Sequence, residues 1–105
     1  MGSADTDSVP FLFGYAGQAR KWESELTDDG VAALKLLRRD LRLTNGTLAK
    51  RNWRSFGKLH QFKGRKKPFH CHLNNSEVAV WYIEKSKTEI QCIFIYIGAR
   101  KDAPY

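Results

Sequence analysis

Hydrophobic positions follow two different patterns along this chain. In residues 17 to 46 they recur every three or four positions, and from residue 68 onward they alternate with polar residues or form short runs. The first spacing is typical of amphipathic helices, and the second is typical of strands with one or two buried faces. The order of the patterns predicts a strand, two helices and then three or four strands.

The amino-terminal half contains three predicted elements. The aromatic run VPFLFGYA, residues 9 to 16, predicts a first strand, and Pro10 favours the edge of a sheet because proline lacks a backbone N–H. QARKWESEL predicts a short helix, with a tight joint at residues 26 to 29. Thr27 is expected to cap a second helix, which Asn45-Gly46 ends. The apolar stripe of that helix consists of Val31, Leu34, Leu37 and Leu41.

The carboxyl-terminal half predicts an antiparallel meander. PFHCHL, residues 68 to 73, turns its apolar members to one face and leaves His70 and His72 on the other. Turns at residues 74 to 76 and 85 to 88 separate it from EVAVWYIEK and EIQCIFIYIG. Before it, residues 58 to 62 suggest a short strand and residues 64 to 67 a turn.

These elements predict an α+β fold in which the amino-terminal strand and a helical hairpin pack on one face of an antiparallel sheet. The other face is expected to remain available. Trp53, Trp81 and Phe94 are expected in the core, and Cys71 and Cys92 are expected to be buried thiols of a reduced, cytoplasmic protein. We expect one domain over residues 9 to 105 after a flexible leader, residues 1 to 8, and no segment is apolar enough for a membrane.

Charge is segregated along the sequence. The net charge is +7, and seven of the eleven acidic residues lie within residues 1 to 40. No acid occurs between Asp40 and Glu77, a gap that contains nine Lys and Arg residues. This segregation indicates a polyanionic partner, most commonly nucleic acid. The alternative is a solvated basic surface that maintains solubility.

Several residues in this half could cleave RNA together. Strand reversals would bring His70, His72 and Arg100 near the cationic turn at residues 64 to 67. Cleavage by the internal 2′-hydroxyl needs a base, stabilisation of the phosphate and protonation of the leaving oxygen; imidazole and guanidinium can supply these without metal. The alternative is that both histidines are exposed strand residues without a role. A zinc site is disfavoured because no partner ligand has the right spacing.

Three segments, KLHQFKG, FHCHLNNSEVAVWYI and IQCIFIYIGAR, followed by Tyr105, resemble the RelE/ParE superfamily of bacterial toxins from toxin–antitoxin pairs. The resemblance is strongest over residues 58 to 105. It implies a compact fold like that of microbial ribonucleases. RelE-type members cut messenger RNA on the ribosome without metal, whereas ParE-type members poison DNA gyrase, and an antitoxin neutralises both.

The resemblance also implies residue roles. Arg100 would bind the scissile phosphate and Tyr105 would orient the substrate or stack on it. His70 or His72 stands where many relatives have arginine, which implies either that an imidazole has taken over proton transfer or that the activity is weakened. The expected RNA-binding residues, from the resemblance and the basic cluster, are Lys50, Arg51, Arg54, Lys58, Lys63, Arg65, Lys66, Lys67 and Lys101.

The sequence is therefore interpreted as a metal-independent, ribosome-dependent mRNA endonuclease, the toxin of a type II toxin–antitoxin pair, with no cofactor. The expected partners are a cognate antitoxin, the ribosome and mRNA, in the cytoplasm and not at a membrane. The alternatives are a ParE-like inhibitor of DNA gyrase and a non-catalytic RNA-binding module. The cationic cluster beside two histidines on one strand face favours the nuclease.

Overall fold

The protein is described by a computed structural model that covers residues 9–49, 51–59, 61–62 and 65–103, so the predicted leader lies outside the described residues. The described elements are β1 (Phe11–Tyr15), α1 (Ala19–Glu23), α2 (Asp28–Thr44), β2 (Gly57–Lys58), β3 (Gln61–Phe62), β4 (Arg65–Lys66), β5 (Phe69–His72), β6 (Glu77–Lys85), β7 (Ile90–Ala99) and a 3₁₀ turn (Arg100–Asp102). Neither α-helix of the described chain has the length and apolarity needed to cross a bilayer.

Five strands form one sheet in the order β1-β7-β6-β5-β2. The predicted α+β class and the edge position of β1 are confirmed. β5, β6 and β7 form the expected antiparallel meander, but β1 runs parallel to β7, so the sheet is mixed. The sequence did not reveal this direction, because the long connection between β1 and β7 permits either orientation.

The basic segment before β5 differs from its prediction. Residues 58 to 62 do not form one strand: β2 pairs with β5, whereas β3 pairs with β4 as a separate two-stranded ribbon. The turn predicted over residues 64 to 67 is wrong for Arg65 and Lys66, which form β4. These two-residue strands are defined by backbone pairing and carry no alternating apolar pattern, which is why the sequence did not show them.

The buried stripe of α2 differs from the predicted stripe at one position. Leu34, Leu37 and Leu41 are buried as expected, but Val31 is 40% exposed, and Gly30 is buried in its place. At about 100° per residue, Gly30 lies within the arc that the three leucines cover, whereas Val31 lies roughly 60° outside it. Helical geometry therefore places a glycine, not the valine, against the sheet.

One face of the sheet carries a row of aromatic rings beneath α2. Each ring lies 5.9–6.2 Å from the next between centroids. From β1 across the sheet to the segment before β2, the row consists of Phe13, Phe94, Trp81, Phe69 and Phe56. Trp81 and Phe94 are fully buried and Trp53 is buried nearby, so their predicted places in the core are confirmed. The buried leucines of α2 belong to the same cluster.

The opposite face is less open than the sequence suggested. Val78 and Val80 are fully buried there in a second cluster with Tyr96. The ring of Trp22, from α1, lies 4.9 Å from that of Tyr96 between centroids. The helical hairpin therefore contributes to both faces, and this face is covered where α1 folds over the end of β7.

A β-bulge in β7 fixes which residues reach each face. Val80 pairs with Tyr96 and Trp81 pairs with Phe94, so Ile95 is the extra residue. Phe94 therefore points towards α2 and Tyr96 points to the opposite face, although the regular period of two would place both on one face. The bulge also sets the orientation of everything that follows it.

A buried carboxylate joins the start of α2 to the β5–β6 turn. Glu77 is 6% exposed and accepts hydrogen bonds from the Thr27 amide (3.0 Å), the Thr27 hydroxyl (2.6 Å) and the Asn74 amide group (2.8 Å). Thr27 also caps the helix by accepting from the Gly30 N–H, as predicted, and Asn45 ends it with φ 53°. A Cβ on Gly30 would clash with the Glu77 carboxylate, so this contact favours glycine.

The pKa of Glu77 is lowered. Burial raises this pKa, but the hydrogen bonds from Thr27 and Asn74 lower it further than burial raises it. The charged carboxylate is thus better accommodated in the folded protein than in the unfolded chain, where its pKa is about 4.3. Its contribution to stability is complete above that value and is lost as the pH falls through the folded pKa.

We therefore expect Glu77→Gln to lower the free energy of unfolding by about 1–3 kcal/mol at pH 7, because the variant loses charge-assisted hydrogen bonds in a buried site. The difference from the wild type should shrink below about pH 4 as Glu77 itself becomes protonated. Urea denaturation of both proteins from pH 7 to pH 3 measures this difference. A gap that stays constant across the range would contradict the role of the charge.

Candidate functional site

His72, Val78 and Gly98 form a row across three strands of the sheet. The pairings His72 with Val78 and Val78 with Gly98 place the three residues on the face opposite α2. Adjacent strands lie about 4.8 Å apart, so the backbones of His72 and Gly98 are roughly 10 Å apart. Arg100 lies two residues after Gly98, and its backbone N–H donates to the Ser76 carbonyl at 2.7 Å. This bond ties the end of β7 to the β5–β6 turn.

Arg54 reaches the same place from the segment before β2. The N–H of His72 donates to the Arg54 carbonyl at 2.9 Å, which extends the edge of the sheet. The Arg54 guanidinium donates to Asn75 Oδ1 at 2.7 Å, which orients it over the turn. The next residue, Ser55, has φ 61°, a conformation that costs a non-glycine residue about 1 kcal/mol or more. The strained residue therefore lies directly after Arg54, whose position it helps to set.

The charges that shift the pKa of His72 are positive. Burial lowers the pKa of His72, and the charges of Arg100, Arg54 and His70 lower it further. Within the described parts of the chain, neither arginine forms an ion pair with a carboxylate. Two guanidinium groups without compensating acids form a site for an anion, and guanidinium matches the geometry of a phosphate.

The two histidines have different surroundings. Their ring centroids lie 6.4 Å apart on the face where the sequence placed them. Nδ1 of His70 lies 3.2 Å from the Gly57 carbonyl, and burial lowers its pKa while this contact raises it. Nδ1 of His72 is buried and has no hydrogen-bond partner among the described residues. A buried polar atom without a partner is rare in folded proteins, and Nε1 of the core residue Trp81 shares this state. His72 is the better candidate for contact with an anionic substrate, because Arg54 and Arg100 act on its pKa whereas no arginine contributes to the shift of His70.

The other predicted RNA-binding residues are not all gathered at this site. Lys58 lies with its ammonium 5.3 Å from the centre of the Phe69 ring, and Arg51 and Lys67 are exposed. Lys101 is exposed beside Arg100, and the two line a common cavity. Of Arg65 and Lys66 only the backbone is described. Lys50, Lys63 and Tyr105 lie outside the described residues, so their predicted roles remain predictions.

The sequence missed the structural use of the β5–β6 turn. The sequence predicts only a chain reversal at Asn74-Asn75-Ser76, yet these residues bind Glu77, Arg54 and the Arg100 backbone respectively. Two adjacent asparagines before an isolated acid were the available signal. Their amides can bond both a carboxylate and a guanidinium, which a simple turn does not require.

The cysteines take no part in this site. Cys71 and Cys92 are free and buried, as predicted, and burial raises the pKa of each thiol to about 12. Both thiols are therefore protonated near neutral pH and are not nucleophiles. Within the described residues, no group of three or more His, Cys, Asp or Glu side chains is arranged to hold a metal ion.

We expect Arg100→Gln and Arg54→Gln each to raise the pKa of His72 above its value in the wild type, because each substitution removes a nearby positive charge. In the wild type this pKa lies below 6.5. NMR titration of the ring resonances measures it. His70 is an internal control, since no arginine contributes to its shift. An unchanged His72 pKa in both variants would show that the arginines lie too far away.

No protein-family model and no curated protein matches the chain. Two solved structures do. A YafQ point mutant from E. coli has a TM-score of 0.62 at 17% identity, over 85% of this chain and 92% of its own. A metal-bound toxin from Helicobacter pylori has a TM-score of 0.59 at 18% identity, over 90% and 97%. These likenesses confirm the α+β fold that the sequence resemblance implied.

Proposed function

We propose that this chain is the toxin of a type II toxin–antitoxin pair and an endoribonuclease that cuts mRNA on the ribosome. The observation that carries the proposal is the gathering of His72, Arg54 and Arg100, without a compensating carboxylate among the described residues. The likeness in fold to a protein described as a toxin supports the biological role. The proposed partners are a cognate antitoxin, the ribosome and mRNA, and the proposed location is the cytoplasm.

The reaction fits groups of this kind. The 2′-hydroxyl of the substrate attacks its own 3′-phosphate, and the bond from phosphorus to the 5′-oxygen breaks, which leaves a 2′,3′-cyclic phosphate and a 5′-hydroxyl. A base removes the proton of the 2′-hydroxyl and an acid supplies one to the leaving oxygen. Negative charge on the phosphate oxygens increases in the transition state, where fixed cations stabilise it.

The electrostatics of the site support the role of a base for His72 and of phosphate binding for the two arginines. The lowered pKa of His72 keeps its imidazole neutral near pH 7, so it can accept the proton of the 2′-hydroxyl. Arg54 and Arg100 would bind the non-bridging oxygens. Their charges would then be compensated by the phosphate, which makes the imidazolium easier to form at the moment when His72 takes the proton.

The two alternatives give different cellular effects. A gyrase inhibitor would induce DNA-damage signalling and leave mRNA intact. A simple RNA-binding module would bind RNA with strong salt dependence and cut nothing. The imidazole of His72 beside two arginines favours the nuclease, because neither alternative needs a proton acceptor there.

We expect Arg100→Ala to reduce mRNA cleavage by roughly 10²–10³-fold, the usual effect of removing one donor to a transition-state oxyanion. The fold should persist, since the bond from residue 100 to Ser76 uses the backbone N–H. Primer extension on mRNA from expressing cells and the growth of those cells are the measurements. Lys87→Ala, which removes an exposed cation from the β6–β7 turn, is the matched control and should stay toxic.

Undiminished toxicity of Arg100→Ala, with thermal unfolding as in the wild type, would contradict the proposed role of Arg100. Wild-type toxicity without any cut in the mRNA, accompanied by DNA-damage signalling, would replace the nuclease with the gyrase inhibitor. Equal loss of activity in the Lys87→Ala control would show that net charge, rather than this site, determines the effect.

A further inference from the structure

A cavity of about 610 Å³ lies at the carboxyl end of β5, between α2, the segment around Asn52 and the β5–β6 turn. This volume lies within the roughly 300–1,000 Å³ that small-molecule sites occupy. His72 and Arg54 line it on one side and Arg39 lines it on the helix side. The cavity therefore adjoins the proposed cleavage site and shares two of its residues.

The chemistry of the cavity wall suits a nucleobase. Among the described residues, the side-chain amide of Asn52 makes no hydrogen bond, and the Asn75 amide uses only its oxygen, towards Arg54. Free amide groups can pair with the edge of a base through one donor and one acceptor. Leu36 is 48% exposed at the helix wall, where it offers an apolar surface to the flat face of a base.

The charge at the helix wall suits a phosphate. Arg39 carries an exposed guanidinium, and its neighbour Asp40 is engaged both by Arg39 and by the buried indole N–H of Trp53. An exposed ion pair between adjacent residues contributes little and leaves the arginine able to bind another anion. Arg54 and Arg39 thus present cations on opposite sides of the cavity, and the carboxylate of Asp40, which also lines it, is engaged by Arg39 and Trp53.

We propose that this cavity is a nucleotide subsite that holds the base next to the scissile phosphate, with Arg39 binding the following phosphate of the same RNA strand. Asn52 reads the edge of that base. The inference rests on the proposed nuclease function and adds to it a direction for the RNA, from Arg100 across β5 towards α2. It also makes Asn52 the source of a base preference at the position beside the cut.

The test compares wild type, Asn52→Ala, Arg39→Gln and Lys35→Gln for cleavage of a translated mRNA pool, mapped by primer extension. Lys35 is the matched control: it is an exposed cation one helical turn before Arg39 and does not line the cavity. Asn52→Ala should relax the base preference at one position beside the cut by roughly tenfold, the usual value of a bidentate amide–base pair. Arg39→Gln should raise KM severalfold with kcat unchanged, and Lys35→Gln should change neither.

If the wild type cuts mRNA but Asn52→Ala keeps the same base preference, the subsite is overturned and the nuclease assignment stays intact. Equal KM values in Arg39→Gln and Lys35→Gln would have the same consequence. Absence of any cut by the wild type would overturn the proposed function and the subsite with it. Matching thermal unfolding of all four proteins ensures that the comparison reports binding.

Discussion

The orientation of the proposed site depends on one irregularity, the bulge at Ile95. Before Ile95, the side chains of β7 alternate between the two faces of the sheet in one phase, and after Ile95 they alternate in the opposite phase. Without the extra residue, Gly98 would face α2 instead of sharing a row with His72, and the chain would leave the sheet with Arg100 aimed towards the core. A local feature of the backbone, not the identity of the arginine, therefore determines that a cation arrives beside the imidazole.

The bulge alone would not hold the site together, because its parts come from three separate segments. Glu77 supplies the connection: its carboxylate fixes the β5–β6 turn to the start of α2, and Asn74 bonds both its side chain and its backbone N–H. The same turn carries the Ser76 carbonyl that receives the Arg100 N–H. A buried acid thus orders the loop on which the guanidinium groups converge.

The sequence predicted the features that follow from periodicity and local chemistry. The helix cap at Thr27, the antiparallel meander and the placement of the two histidines on one face all follow from residue spacing in the sequence. The bulge could not be predicted, because the apolar run from Ile93 to Ile97 supports either phase. The parallel direction of β1 and the role of Arg54 depend on contacts between distant segments, which carry no local signal.

Among the described residues, neither guanidinium of the proposed site forms an ion pair with a carboxylate. Like charges close together raise the free energy of the empty fold, and Arg54, Arg100 and His72 would be easier to accommodate with an acid among them. An internal carboxylate would remove that cost and would also compete with a phosphate for the same donors. Glu77, the buried acid at the start of β6, is instead bonded to Thr27 and Asn74, where it stabilises the scaffold. The carboxylate that orders the scaffold is thus buried on the face opposite the imidazole of the proposed site.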